Sequence, residues 1–127
     1  MTPPAQIHSI AFGHGPQPAL ALHCTLAHAG AWRRMGAALA DTLTITAIDM
    51  PGHGKSADWS GIGDFHRACT DAALPFLTEP MDVIGHSFGA TVALRLAIEH
   101  PELVRSLTMI EAVLFAVARE DAPEELA

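Results

Sequence analysis

Short apolar runs alternate with stretches of helical periodicity along the chain, and this alternation limits the possible folds more than any other feature. The predicted strands are Gln6–Phe12, Ala19–His23, Thr44–Ile48, Met81–Gly85 and Leu103–Ile110. The predicted helices are Gly30–Ala40, Gly63–Phe76 and Ser87–Glu99, while residues 111–127 predict a helix start or a frayed tail. This order of elements is typical of an α/β fold with a mostly parallel sheet and helices on both faces.

The length and composition favour one domain spanning residues 1–127. Half of the residues are hydrophobic and 17% are charged, which excludes a disordered chain. The net charge of −7 argues against nucleic acid or an anionic membrane as the main partner. No apolar run reaches the roughly 18–20 residues that cross a bilayer, and the start MTPPAQIHSI does not resemble a signal peptide. Cys24 and Cys69 make no disulfide framework, so a reducing cytoplasm is the expected location.

The residues Gly85-His86-Ser87-Phe88-Gly89 fit the G-x-S-x-G pattern of a nucleophile elbow. The pattern follows a predicted strand and opens a predicted helix, which is the context that the mechanism requires. A sharp turn there exposes the Ser87 hydroxyl and places the Phe88 N–H at a helix N-terminus, where it can stabilise an oxyanion. The alternative is that Ser87 only caps the helix.

With three further motifs, the sequence resembles the α/β-hydrolase superfamily over almost its whole length. The segment L-H-C-T at residues 22–25, followed by Trp32, is similar to the family's His-Gly-x…Trp oxyanion segment. The segment D-M-P-G-H-G-K-S at residues 49–56 resembles the family's Asp-x-Pro-Gly-His-Gly-x-Ser loop. H-P-E-L-V at residues 100–104 resembles the lead into the family's sixth strand. The resemblance therefore implies the N-terminal half of an α/β-hydrolase fold.

The resemblance also implies residue roles. Ser87 would be the nucleophile, and the backbone N–H groups of Thr25 and Phe88 would bind the oxyanion. Cys24 stands where the family has glycine, which is tolerable if Cys24 keeps a negative φ. A serine at the elbow points to acyl transfer on an ester, thioester, lactone or amide, or to C–C cleavage of a diketone. No cofactor is implied. The sequence contains neither a Cys/His cluster nor the H-E-x-x-H motif, so no metal is predicted.

The catalytic histidine and acid are less well defined. In the family the acid and then the histidine follow the nucleophile, yet no histidine follows His100. Glu111, directly after the last predicted strand, is either the acid or a residue that only borders the strand end. The lid, the last two strands and the catalytic histidine of the family are not matched by this chain. The base is therefore expected from outside the chain, through a second polypeptide that carries the C-terminal half or through a homo-oligomer.

A small-molecule pocket is expected beside the elbow. Its predicted lining is mostly apolar and consists of His23, Leu26, Ala27, His28, Trp32, His86 and Phe88. The leading function is a serine hydrolase acting on a small carbonyl substrate. The alternative is a non-catalytic binder of small apolar ligands with the same fold, or an inactive fragment.

Overall fold

The structure, a computed structural model, describes residues 6–112. Its strands are β1 (Ser9–Gly13), β2 (Gln17–Leu22), β3 (Leu43–Ile48), β4 (Met81–His86) and β5 (Val104–Ile110). Its α-helices are α1 (Arg33–Ala38), α2 (Phe65–Ala73) and α3 (Phe88–Glu99), and short 3₁₀ turns span Ala29–Trp32, Leu74–Phe76 and Pro101–Leu103. Most of the predicted helix start or frayed tail at residues 111–127 lies outside the described range, which ends at residue 112. Within that range no helix is both long and apolar enough to cross a membrane.

The strands form one sheet in the order β1-β3-β2-β4-β5. Strand β1 is antiparallel to β3, and all other neighbours are parallel. Leu22 at the end of β2 pairs with Ile48 on β3 and with Gly85 on β4, so the carboxyl ends of these strands are aligned. The predicted fold class is confirmed, and parallel strands aligned in this way place the segments that follow them at one edge of the sheet.

The central strand β2 is buried on both faces, which explains its continuous apolar sequence. Leu20 and Leu22 belong to a core on the side of α2 and α3. Ala19 and Ala21 belong to a second core that includes Trp32, in the turn leading into α1. The alternation of side chains along a strand therefore fills two helix layers, large residues on one side and small ones on the other.

Several predicted elements start or end elsewhere in the structure. The first strand begins at Ser9 instead of Gln6, because the carbonyls of Gln6 and His8 accept hydrogen bonds from the loop that follows β3. Helix α2 ends at Ala73 and continues as a 3₁₀ turn, since Pro75 has no N–H for an α-helical hydrogen bond. The helix predicted over Gly30–Ala40 is a 3₁₀ turn followed by the shorter α1.

Candidate active site

Ser87 alone makes the bend between β4 and α3. Its backbone has φ 54° and ψ −114°, a conformation rare for a residue with a side chain. The flanking glycines let the helix approach the sheet, because a Cβ on Gly85 would lie 2.6 Å from the Ala90 Cα. A Cβ on Gly89 would lie 2.5 Å from the carbonyl oxygen of His23. The strained serine conformation is thus held between two close backbone contacts.

The backbone of Ser87 is fixed by hydrogen bonds, while its hydroxyl makes none with residues 6–112. Its N–H donates to the Ile110 carbonyl at 2.8 Å, and its own carbonyl accepts from the Ala90 N–H at 3.0 Å. The side chain makes no capping hydrogen bond to the start of α3. The capping alternative for Ser87 therefore has no hydrogen bond to support it.

His23 fixes the direction of the predicted oxyanion segment. Its Nδ1–H donates to the Cys24 carbonyl at 2.7 Å, and its Nε2 accepts from the Met50 N–H at 3.0 Å. Burial lowers the pKa of His23 below its ordinary value, so the ring is neutral at pH 7. The Ala27 N–H also donates to the Cys24 carbonyl, at 3.1 Å. Because that carbonyl shares a planar peptide unit with the Thr25 N–H, these two hydrogen bonds orient the Thr25 N–H.

The two predicted oxyanion donors have no competing acceptor within residues 6–112. Neither the Thr25 N–H nor the Phe88 N–H donates a hydrogen bond there. Cys24 is not among the residues with positive φ, which meets the condition for replacing the family's glycine. The carbonyl ends of β2 lie against Gly89 in the first turn of α3, so the Thr25 segment and the Phe88 N–H belong to the same end of the sheet.

All eight histidines lie in the described range, and each contacts a partner other than Ser87. The partners are Asp49 for His8, Asp41 for His14, Cys24 and Met50 for His23, Gly30 for His28, Pro51 and Leu26 for His53, Thr91 and Arg95 for His66, Glu111 for His86, and Glu102 for His100. The predicted acid Glu111 lies 3.7 Å from His86 and is largely exposed. No histidine of residues 6–112 is hydrogen-bonded to the Ser87 hydroxyl.

A cavity of about 310 Å³ opens between the turn into α1 and the ends of β4 and β5. It is lined by His23, Cys24, Ala31, Trp32, Arg34, Met35, His86 and Ile110. Three of the predicted pocket residues, His23, Trp32 and His86, are therefore brought together. Leu26, Ala27, His28 and Phe88 do not line this cavity, and the first and third of them are exposed. The buried Trp32 Nε1–H has no hydrogen-bond acceptor within the described residues.

A cluster of aromatic side chains that was not predicted from the sequence packs against Phe88, the residue after Ser87. Phe65 of α2 stacks on Phe88 with ring centroids 5.8 Å apart, and Trp59 lies 5.0 Å from Phe65. The Phe65 ring also stacks on His53 at 6.3 Å. Its contact with the residue after Ser87 depends on how α2 packs on α3.

The described residues do not gather a metal site. Within residues 6–112, no group of three or more His, Cys, Asp or Glu side chains is arranged to hold a metal ion. The buried carboxylate of Asp49 instead accepts hydrogen bonds from the N–H groups of Ala29 and Lys55, at 2.7 and 2.9 Å. It serves to join the loop after β3 to the turn before α1.

Comparisons with known proteins agree with this geometry. A family model described as alpha/beta hydrolase fold matches residues 18–126. A pimeloyl-[acyl-carrier protein] methyl ester esterase of Nitrosomonas europaea is 33% identical over 119 residues, which cover 94% of this chain and 46% of that protein. The protein of the same name from Neisseria meningitidis serogroup C is 41% identical over 86 residues, covering 68% of this chain and 33% of that protein.

A solved structure shows the same fold. The thioesterase domain from the curacin biosynthetic pathway superposes with a TM-score of 0.79 at 24% identity, over 87% of this chain and 41% of that chain. The chain thus spans between a third and about half of the length of the curated relatives described above.

Proposed function

Because the chain belongs to the α/β hydrolase fold family, we propose that it carries the nucleophile and the oxyanion hole of a serine hydrolase that cleaves small esters, thioesters or related carbonyl compounds. The observation that carries this proposal is the backbone of Ser87. It is bent into a strained conformation between two close glycine contacts, while its hydroxyl makes no capping hydrogen bond. A capping serine has no need of such strain, whereas an exposed nucleophile does.

In the proposed reaction the Ser87 Oγ attacks the carbonyl carbon of the substrate. A histidine base takes the hydroxyl proton as the new C–O bond forms. The negative charge that develops on the carbonyl oxygen is stabilised by the N–H groups of Thr25 and Phe88. The same histidine then protonates the leaving alcohol or thiol, and water hydrolyses the acyl-enzyme to release the acid and restore Ser87.

We propose that this histidine comes from outside residues 6–112. The support is that the histidines there contact other partners, and both ring nitrogens of His23 and of His53 are occupied. The triad acid is either Glu111 or an aspartate supplied with that histidine. The position of Glu111 at the end of β5 favours it, and its contact with His86 argues for the second choice.

The partner that supplies the base is proposed to join the sheet at β5. Within the described residues β5 is a terminal strand, and Met109 on it is 42% exposed. An open edge strand favours pairing with a further strand. A second polypeptide that carries the C-terminal half of the fold would provide such a strand and the histidine together. A second copy of this chain is the other arrangement that would cover the edge.

The substrate class follows from the relatives' names and the cavity. The curated relatives described above are named as methyl ester esterases of an acyl chain carried by a protein. The cavity of about 310 Å³ is small, and its lining combines apolar residues with His23, Arg34 and His86. We therefore propose a short acyl ester with a small alcohol, and methyl esters are the first compounds to assay.

Fluorophosphonate labelling of the purified protein, with any polypeptide that co-purifies, tests the proposal. The expected result is one adduct on the peptide that contains Ser87, with no adduct in Ser87→Ala. Ser60→Ala is the matched control, because this exposed serine lies in the loop before α2 and should label like the wild type. Denaturing intact-mass spectrometry of the same sample identifies a second chain. An unlabelled wild type, with and without that chain, would refute the hydrolase proposal.

The second candidate function is a non-catalytic binder of small apolar ligands. It is favoured by the absence of a histidine bonded to Ser87 among residues 6–112. This alternative predicts that a short apolar ester binds without turnover, and that Ser87→Ala binds it equally well by isothermal titration calorimetry. Hydrolysis that disappears in Ser87→Ala would exclude it.

A further inference from the structure

His53, in the loop after β3, reaches across to the turn that carries the proposed oxyanion donor. Its Nε2 lies 3.1 Å from the Leu26 backbone nitrogen, and its Nδ1 lies 3.0 Å from the Pro51 carbonyl oxygen. An amide nitrogen can only donate and a carbonyl oxygen can only accept. The proton of the ring is therefore on Nδ1, and Nε2 is the acceptor for the Leu26 N–H.

Leu26 needs this support because its conformation is unfavourable by itself. Its φ is 68°, in the left-handed region, where a residue with a Cβ costs roughly 1–2 kcal/mol. The side chain is 91% exposed, so apolar burial does not compensate. Apart from its own turn, the hydrogen bond to His53 is the contact that holds the Leu26 N–H in place among the described residues.

The position of Leu26 determines how Thr25 is held. The Thr25 carbonyl and the Leu26 N–H form one planar peptide unit, so fixing the N–H fixes the plane that follows Thr25. The plane that precedes Thr25 is fixed by the two hydrogen bonds to the Cys24 carbonyl, from His23 and Ala27. Both peptide planes that flank the Thr25 Cα are thus anchored, one of them by a side chain from another loop.

The ring of His53 is itself clamped between residues of the site. Its centroid lies 5.0 Å from that of His23, and its ring stacks on Phe65 at 6.3 Å, which in turn stacks on Phe88. A continuous series of ring contacts therefore runs from His23 and His53 in the two loops to Phe65 of α2 and Phe88 of α3. These contacts link the Thr25 segment to Phe88, whose N–H is the second proposed oxyanion donor.

We propose that His53 is a positioning residue of the oxyanion hole, whose Nε2 holds the Leu26 N–H and thereby keeps the Thr25 N–H aimed at the reacting carbonyl. This inference rests on the proposed function. It adds a residue that touches neither substrate nor the reacting atoms. Because a lost oxyanion donor reduces kcat by about 10²–10³-fold, a donor that is only misaligned should reduce it by about tenfold.

The hydrogen bond is tested first, in the wild-type protein labelled with ¹⁵N. An N–H···N hydrogen bond transmits a scalar coupling between its two nitrogens, so the Leu26 amide should couple to the His53 Nε2. The Met50 amide should couple likewise to the His23 Nε2, which is the internal control. Observation of the control coupling without the Leu26 coupling would overturn the inference without recourse to activity.

The second test compares two variants of His53 for the rate of Ser87 acylation by a fluorophosphonate and by a methyl ester. His53→Phe keeps a ring to stack on Phe65 but removes the acceptor, whereas His53→Gln provides an amide oxygen. We expect kcat to fall about tenfold in the phenylalanine variant with KM nearly unchanged, and to recover in the glutamine variant. His14→Ala, which removes an exposed histidine from the turn before β2, is the control and should stay near the wild-type rate.

The outcomes separate this inference from the proposed function. A wild type that is labelled on Ser87, together with an unchanged rate in His53→Phe, would overturn the role of His53 alone. A wild type that is never labelled would overturn the hydrolase proposal, and with it the oxyanion role of the turn. Rates are compared at a temperature where circular dichroism shows each variant folded. A fall in His53→Gln equal to that in His53→Phe would indicate a requirement for the imidazole shape and would also contradict the inference.

Discussion

Replacing Asp49 with asparagine should remove much of the stability of this fold. Asp49 is 3% exposed, and its carboxylate accepts hydrogen bonds from the Ala29 N–H, the Lys55 N–H and the His8 ring, at 2.7, 2.9 and 3.0 Å. An asparagine can keep its carbonyl oxygen towards Ala29, but its NH₂ group then faces a second donor at Lys55. The two charge-assisted hydrogen bonds to the second oxygen, from Lys55 and from His8, are then lost. Each is worth about 1.5 kcal/mol or more, so we expect the free energy of unfolding to fall by about 3 kcal/mol.

The pH dependence of this loss has a definite sign. Burial by itself would raise the pKa of Asp49, but the N–H groups of Ala29 and Lys55, and then His8, outweigh it and hold the pKa below its ordinary value. A carboxylate with a lowered pKa stabilises the fold above its unfolded pKa of about 4, and this contribution disappears as the pH falls through the folded pKa. The difference in free energy of unfolding between wild type and Asp49→Asn should therefore be constant above about pH 5 and shrink below about pH 4.

Urea denaturation followed by tryptophan fluorescence measures this difference at a series of pH values. Asp41→Asn is the matched control, since Asp41 also pairs with a histidine, His14, but both side chains are largely exposed. This control should unfold like the wild type. The reasoning would be refuted if the free energy of unfolding of Asp49→Asn were within about 1 kcal/mol of the wild-type value at pH 7. A difference that persisted unchanged at pH 3 would refute the role of the charge.

Two further changes probe the packing around the elbow and the core. Gly89→Ala should destabilise the fold by about 3 kcal/mol, because the new Cβ would lie 2.5 Å from the His23 carbonyl oxygen. Gly61→Ala has no atom within 4 Å of its Cβ and should cost only about 1 kcal/mol for its positive φ, so equal losses in a thermal melt would contradict the steric argument. Burial raises the pKa of the Cys69 thiol to about 12, so iodoacetamide at pH 8 should modify Cys24 and leave Cys69 intact until the chain is unfolded. Peptide mass mapping over time checks this order, and early modification of Cys69 would contradict it.

The local parts of the site could be predicted because they are built from consecutive residues. Gly85 to Gly89 lie within one turn, and the steric need for glycine on both sides of a serine at positive φ is a property of that turn. The central strand β2 was predictable for a similar reason, since a strand buried on both faces needs a continuous apolar run. The ends of elements were less predictable. The start of β1 depends on hydrogen bonds to a loop some 50 residues away, through Gln6 and Ala57.

The sequence by itself therefore determined the order of the elements, the sharp turn at Ser87 and the fold class. Only the tertiary structure decided what surrounds the elbow. The contact of His53 with Leu26 spans 27 positions, and that of Asp49 with Ala29 spans 20. Such contacts leave no periodic pattern in the sequence, because they are set by the strand order and by how far each loop reaches beyond the carboxyl ends of the sheet. The histidines illustrate the difference, since their number is a property of the chain, whereas their hydrogen-bond partners are a property of the fold.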